Sequence, residues 1–150
     1  TNNNSIEIFD KNRKFIKTFY KNISFNKPTF ITIDKNRKLY VVDTMNHNIK
    51  VFDEKENMIL NFGQNGKTAG NFANPRGIAV DSNGNMYITD TLFNAIQIFN
   101  KKGQLLMVLG RDGIEKGEFA LPSGITISDK NEIFVSDSYN MRVQKFKILK

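Results

Sequence analysis

Apolar and polar residues alternate with period two along short runs of this chain, and clusters of Asn, Asp, Lys and Gly break the alternation every eight to twelve positions. The clearest stretch runs Gly77 to Val80, a turn at Asp81 to Asn85, Met86 to Thr89, a bend at Asp90 to Asn94, Ala95 to Phe99, a turn at Asn100 to Gly103, and Gln104 to Leu109. Four short strands joined by Asn-Gly and Lys-Gly turns predict an antiparallel meander. No stretch combines helical periodicity with capping residues, so the expected class is all-β.

This unit recurs at a fixed offset of 47 residues. Asn71-Phe72-Ala73-Asn74-Pro75-Arg76-Gly77-Ile78-Ala79-Val80-Asp81 returns as Glu118-Phe119-Ala120-Leu121-Pro122-Ser123-Gly124-Ile125-Thr126-Ile127-Ser128, and Phe25 to Asp34 is an earlier, more divergent copy. Met86 to Asp90 aligns with Leu39 to Asp43 and with Ile133 to Asp137, and Ile96 to Phe99 with Ile49 to Phe52 and Val143 to Phe146. A unit of this length is too small to be a domain. Four-stranded sheets repeated at about 40 to 50 residues are the blades of a β-propeller, in which each sheet packs on its neighbours.

Pro75-Arg76-Gly77-Ile78-Ala79-Val80-Asp81, Gly84-Asn85-Met86-Tyr87-Ile88-Thr89-Asp90 and Phe62-Gly63 with the spaced Gly66 and Gly70 resemble the NHL repeat. So do Asp137-Ser138-Tyr139-Asn140-Met141-Arg142-Val143-Gln144 and Leu109-Gly110 with Gly113 and Gly117. The first complete copy departs from the pattern at Phe30, where the others carry Gly77 and Gly124; the second departs at Phe93 and Ala95. The resemblance implies a bacterial-type six-bladed NHL propeller. Such a fold serves as scaffold, sensor, RNA-binding platform or enzyme, so it fixes architecture and leaves function to the site. Kinship with bacterial NHL proteins favours an exported location.

Aligned on Ile49 to Asp53, the opening Ile6 to Asp10 is a third strand and Phe15 to Tyr20 a fourth, with Thr1 and Asn3 matching Thr44 and Asn46. The expected organisation is a partial propeller of about three and a quarter blades out of six. Residues 1–20 end one blade, 25–63 and 72–110 form two blades, and 119–150 form a last blade lacking its closing strand. The reading from this count is that the chain is the C-terminal portion of a longer propeller, with self-assembly of arcs as the competing explanation. A free arc would expose apolar sheet faces and unpaired edges.

A hydrophobic share of 39% with 13 Phe suits packing between blades, and the absence of Cys excludes disulfides and thiolate chemistry. No apolar run approaches the ~20 residues of a spanning helix. The net charge of +7 is the one bulk signal for a partner. Strand alternation puts the bend after the second strand and the Gly-rich connection between blades on one face, with Lys27, Lys67, Arg76, Arg111, Lys116 and Arg142. Single-stranded RNA could bind there. Lys also crowds the opposite face, for example at Lys11, Lys35, Lys55 and Lys101, which favours a solvated surface over a nucleic-acid footprint.

Catalysis has less to build on. Propeller lyases and hydrolases gather several His or carboxylate ligands on a metal, and this chain has one His, His47, whose equivalents are Asn94 and Met141. Asp43, Asp90 and Asp137 recur at matched positions, each ending a strand before a bend where a carboxylate accepts local backbone N–H groups. No cofactor or metal is expected. The glycines between blades are read as positions of positive φ. Phe9, Phe52, Phe99 and Phe146 repeat within the third strand and read as packing residues, whereas Phe93 replaces an Asn in a bend. The expectation is a non-catalytic platform for another protein, or for the remainder of the same propeller, with Arg76, Phe93, Arg111, Tyr139 and Arg142 as contact residues. An RNA-binding face and a metal-dependent lyase or hydrolase are the alternatives.

Overall fold

Among residues 4–19 and 23–148, which the computed structural model describes, thirteen strands form four antiparallel sheets. β1 (Ile6–Phe9) and β2 (Phe15–Phe19) pair with each other. β3 (Pro28–Ile33), β4 (Leu39–Asp43), β5 (Asn48–Phe52) and β6 (Met58–Phe62) form one four-stranded sheet. β7 (Pro75–Val80), β8 (Met86–Asp90), β9 (Ala95–Phe99) and β10 (Leu105–Leu109) form a second. β11 (Pro122–Ile127), β12 (Glu132–Asp137) and β13 (Arg142–Lys147) form a three-stranded sheet. Every strand pairs with its sequence neighbour, so each sheet is the meander that the alternation predicts. Thr1, Asn3 and Tyr20 lie outside the described residues. None of the described helical segments is long and apolar enough to cross a membrane.

One side-chain device closes the lower turn of sheet after sheet. Asp34 Oδ1 accepts from the backbone N–H of Asn36 and of Lys38, both at 2.9 Å, and Asp10, Asp53 and Asp81 do the same two and four residues on. Asn100 and Ser128 substitute an amide and a hydroxyl oxygen for the carboxylate. The fourth turn residue is in the left-handed region throughout: Arg13, Arg37, Glu56 and Asn131 lie at φ 59 to 67, alongside Gly84 and Gly103. A short polar side chain that mimics a backbone acceptor is what Asp, Asn and Ser contribute to turns.

The three prolines of the chain open the three complete inner strands β3, β7 and β11, and a register irregularity follows each. A missing N–H is tolerated at the first residue of a strand and at a bulge. β7 packs between β3 and β11, which brings the inner strands side by side. At Gly77 an added Cβ would come within 2.4 Å of the Ser123 carbonyl oxygen, and Thr89 Oγ1 bonds that oxygen while accepting from Gly77 N–H at 2.9 Å. Phe30 and Val42 occupy the matching places one blade earlier and pack into an apolar seam instead.

The cores lie between sheets. Val42, Ile49 and Val51 meet Phe72, Ile78, Met86 and Phe99 across the first complete seam; Ala79, Tyr87 and Ile96 meet Phe119, Ile125 and Val135 across the second. Each sheet between two others is therefore covered on both faces, and β8 and β9 are buried at every position. In β13 the burial alternates residue by residue, because the described residues cover only one of its faces. The repeated phenylalanines follow the same rule. Phe52 and Phe99 are buried and Phe146 packs at the margin of the second seam, but Phe9 is 55% exposed and rests edge-on against Phe15.

Gly63 and Gly110 do lie at positive φ, 97° and 88°, and a Cβ at either would strike the ring of Phe72 or Phe119 at 2.4 Å. Gly66 differs from the expectation. Its φ is not positive, and the constraint there is the Asn71 side chain, 2.7 Å from where a Cβ would stand.

Candidate binding face

The bends that follow the second strand of each blade share one construction. Asp43, Asp90 and Asp137 are wholly buried at the strand ends and reach back to the loop that enters their own blade. Asp43 accepts from Asn26 N–H at 2.7 Å, Asp90 from Ala73 N–H at 2.8 Å and Asn74 N–H at 2.9 Å, and Asp137 from Ala120 N–H at 2.8 Å. Asp90 also caps its own bend through Leu92 and Phe93 N–H at 3.2 and 3.3 Å. Local N–H groups, the acceptor role read from sequence, bond Asp90, and at all three aspartates the shortest backbone bonds come from sixteen or seventeen residues upstream. Four residues beyond each Asp the chain turns left-handed, with His47, Asn94 and Met141 at φ 51 to 52.

The charge on each carboxylate is balanced differently. Lys50 Nζ reaches Asp43 Oδ2 at 2.5 Å and Asn48 Oδ1 at 2.7 Å in a buried pair, with the Phe25 ring 5.8 Å below. At Asp137 burial works against the ionised form. Bonds from Ala120 N–H, Asn140, Arg142 and Gln144 outweigh it, and the carboxyl lies below the usual range. Among the described residues Asp90 has no cation or side-chain amide donor: Phe93 stands where Asn46 and Asn140 donate, Ala95 where Arg142 does, and Gln97 turns to the Asn71 carbonyl. Burial then dominates over its backbone bonds and pushes the Asp90 carboxyl up.

The five residues singled out from sequence reach this face in different states. Arg142 is committed within the chain: its guanidinium binds Asp137 Oδ2 at 2.7 Å and the carbonyls of Ile114, Glu115 and Glu118, tying down the Gly-rich loop. Arg111 is exposed but paired with Glu118 at 2.8 Å. Phe93 is half-buried, and its neighbour Leu92 is the exposed side chain, at 64%. Tyr139 is exposed at 73%. Arg76 is half-buried on β7, and its guanidinium makes no hydrogen bond or ion pair with any described residue.

Two contact candidates escaped the sequence reading. Met45, Leu92 and Tyr139 occupy one position of the repeat, directly after the residue that follows the buried Asp, and all three are more than half exposed. The signal was available as three apolar residues at equivalent places in a solvent-facing bend. On the opposite side, the lower ends of β3, β7 and β11 wall a cavity of about 770 Å³ that includes Ile31, Asp34, Tyr40, Asp81 and Ser128. Among the described residues no three His, Cys, Asp or Glu side chains converge as a metal-binding group. The Nδ1 atom of His47 is buried without a hydrogen-bond partner among the described residues.

The NHL repeat matches residues 119–146, and a family described as a 6-bladed beta-propeller matches residues 20–91. No curated protein matches the sequence. Solved structures with the same fold include one titled as a streptogramin B lyase, with TM-score 0.70 and 14% identity over 97% of this chain and 48% of that one. A catalytically inactive virginiamycin B lyase from Staphylococcus aureus, solved with quinupristin, gives TM-score 0.68 at 18% identity, over 97% of this chain and 49% of that one. A selenomethionine-substituted virginiamycin B lyase from the same organism gives 0.61 at 18%, over 98% and 50%. The chain spans about half the length of these structures. At such identities the likeness shows the fold.

Proposed function

From a chain that fits an NHL-repeat β-propeller family, we infer a non-catalytic platform that binds another protein through the bends of successive blades. The observation that carries this reading is the row Met45, Leu92 and Tyr139. Each is a large apolar or aromatic side chain held in solvent by a bend whose preceding residue is a wholly buried Asp. Keeping such side chains exposed forgoes about 1.5–3 kcal/mol of burial apiece, and recurrence in three blades makes a contiguous partner surface the economical explanation. Aromatic and long aliphatic anchors on a rigid frame are what protein interfaces use at their centres.

Lyase chemistry draws support from the similar lyase structures, but among the described residues no cluster of three His, Cys, Asp or Glu favours a metal-dependent form of it. The test is affinity purification from the native host with wild-type protein and with Leu92→Ser/Tyr139→Ser. Proteins retained by the wild type should be lost from the double variant and kept by a Leu106→Ser control on the outer strand β10. Identical retention by all three forms would reject the bend row as the interface.

A further inference from the structure

We propose that Arg76 is a carboxylate-recognition residue at the inner rim of this face, selecting partners that present an acidic side chain beside apolar ones. The inference rests on the platform reading for the apolar flanks, and on independent observations for the anion. In the blades on either side, the residue equivalent to Arg76 is a hydroxyl bonded to the hydroxyl of its own bend: Thr29 Oγ1 to Thr44 Oγ1 at 2.6 Å, and Ser123 Oγ to Ser138 Oγ at 2.6 Å. In the central blade Arg76 takes that place. The hydroxyl of its bend, on Thr91, keeps the bond to the next blade's proline carbonyl, Pro122 at 3.0 Å, that Thr44 makes to Pro75 at 2.8 Å, and has no hydroxyl partner on its own inner strand. Thr29 Oγ1 also bonds the Arg76 main-chain carbonyl at 3.2 Å, and the strand carrying Arg76 packs between those carrying Thr29 and Ser123.

The arginines of the face set the sign of the ligand. Arg111 is neutralised by Glu118 and Arg142 by Asp137 and three carbonyls. Of the three, Arg76 has its charge and its planar fork of donors uncommitted among the described residues, and it is half-buried, where desolvation strengthens an ion pair. A guanidinium whose fork of donors is free matches one carboxylate bidentately. Leu92 and Tyr139 directly follow the bend hydroxyl residues Thr91 and Ser138 in the sequence and are exposed, so apolar anchors stand one residue from the hydroxyls of this rim.

The probe is N-acetylglutamic acid α-amide, whose only charge is the side-chain carboxylate, titrated into protein with isotope-labelled arginine and followed through the arginine Nε–Hε resonances. The Arg76 signal, identified by its disappearance in Arg76→Gln, should move saturably, while the Arg111 and Arg142 signals stay in place and N-acetylglutamine α-amide moves nothing. The response should persist in Leu92→Ser/Tyr139→Ser, so that loss of the apolar interface and loss of the carboxylate site are read separately. Absence of any shift would overturn the anion site. An equal or larger response to inorganic phosphate, spread over all three arginines, would overturn the carboxylate assignment in favour of polyanion binding.

Discussion

Asp90 and Asp137 occupy the same buried position in successive blades with different surroundings, and the consequences are measurable residue by residue. Asp137 lies below the ordinary carboxylate range, so it contributes stability above the unfolded-state value that is lost as pH falls through its folded value. Asp90 is displaced upward by burial, so its contribution is complete below the unfolded-state value and declines as pH rises through the folded one. The destabilisation caused by Asp137→Asn should therefore be larger at pH 7 than at pH 3, and that caused by Asp90→Asn smaller at pH 7 than at pH 3. Urea denaturation of both variants across this range checks the opposite slopes; parallel slopes would refute the assignment.

A second pair of residues shows the repeat rewriting a bond by halves that change together. Tyr40 bonds Asp34 at 3.0 Å and Tyr87 bonds Asp81 at 3.3 Å, and burial with the adjacent carboxylate lifts the Tyr87 phenol to about 12. In the last complete turn the equivalents are Ser128 and Phe134, so carboxylate and hydroxyl have gone together. Phe134 instead lies 5.6 Å beneath Lys145 Nζ. Tyr87→Phe should cost about 1 kcal/mol, and combining it with Asp81→Ser should cost less than the sum of the two single changes, as read from a double-mutant cycle.

At the scale of strands and seams, the inner strands set how closely blades approach. Gly77→Ala puts a Cβ against the Ser123 carbonyl and should destabilise by about 1–3 kcal/mol, the usual cost of overpacking. Gly124→Ala meets the Ser136 side chain alone among the described residues, with Oγ at 3.2 Å and Cβ at 3.8 Å, and should cost less. Thermal melts of the two variants give the comparison. The seams also show what the sequence could and could not disclose. Strands, turns and the 47-residue register were legible because period-two alternation and turn chemistry are local, and a repeat states them three times. The commitment of Arg142 to three carbonyls was not legible, since those bonds cross 24 to 28 residues into a loop of irregular backbone. That Leu92 is exposed while Phe93 is half-buried was not legible for a related reason: inside a bend no periodicity says which of two adjacent side chains faces solvent.

For the whole molecule, stability is distributed by the number of neighbours each sheet has, because blades contact only adjacent blades. The sheet β7 to β10 lies between two others, whereas β1 with β2 and β11 to β13 are each covered on one side by the described residues. Amide hydrogen exchange should accordingly be slowest in β8 and β9 and faster in β1, β2 and β13, with the order preserved in mild denaturant. Uniform protection across all sheets would show that cooperativity extends along the entire arc.

The buried aspartates bear on how such a surface changes over evolutionary time. Because Asp43, Asp90 and Asp137 fix each bend from beneath, the next-but-one residue carries almost no folding duty, and Met, Leu and Tyr already share that place within one chain. If the bend row is the proposed interface, substitution there would alter what the protein meets without altering whether it folds. A lineage could exchange one partner for another through a few single-codon changes, with the scaffold inherited intact.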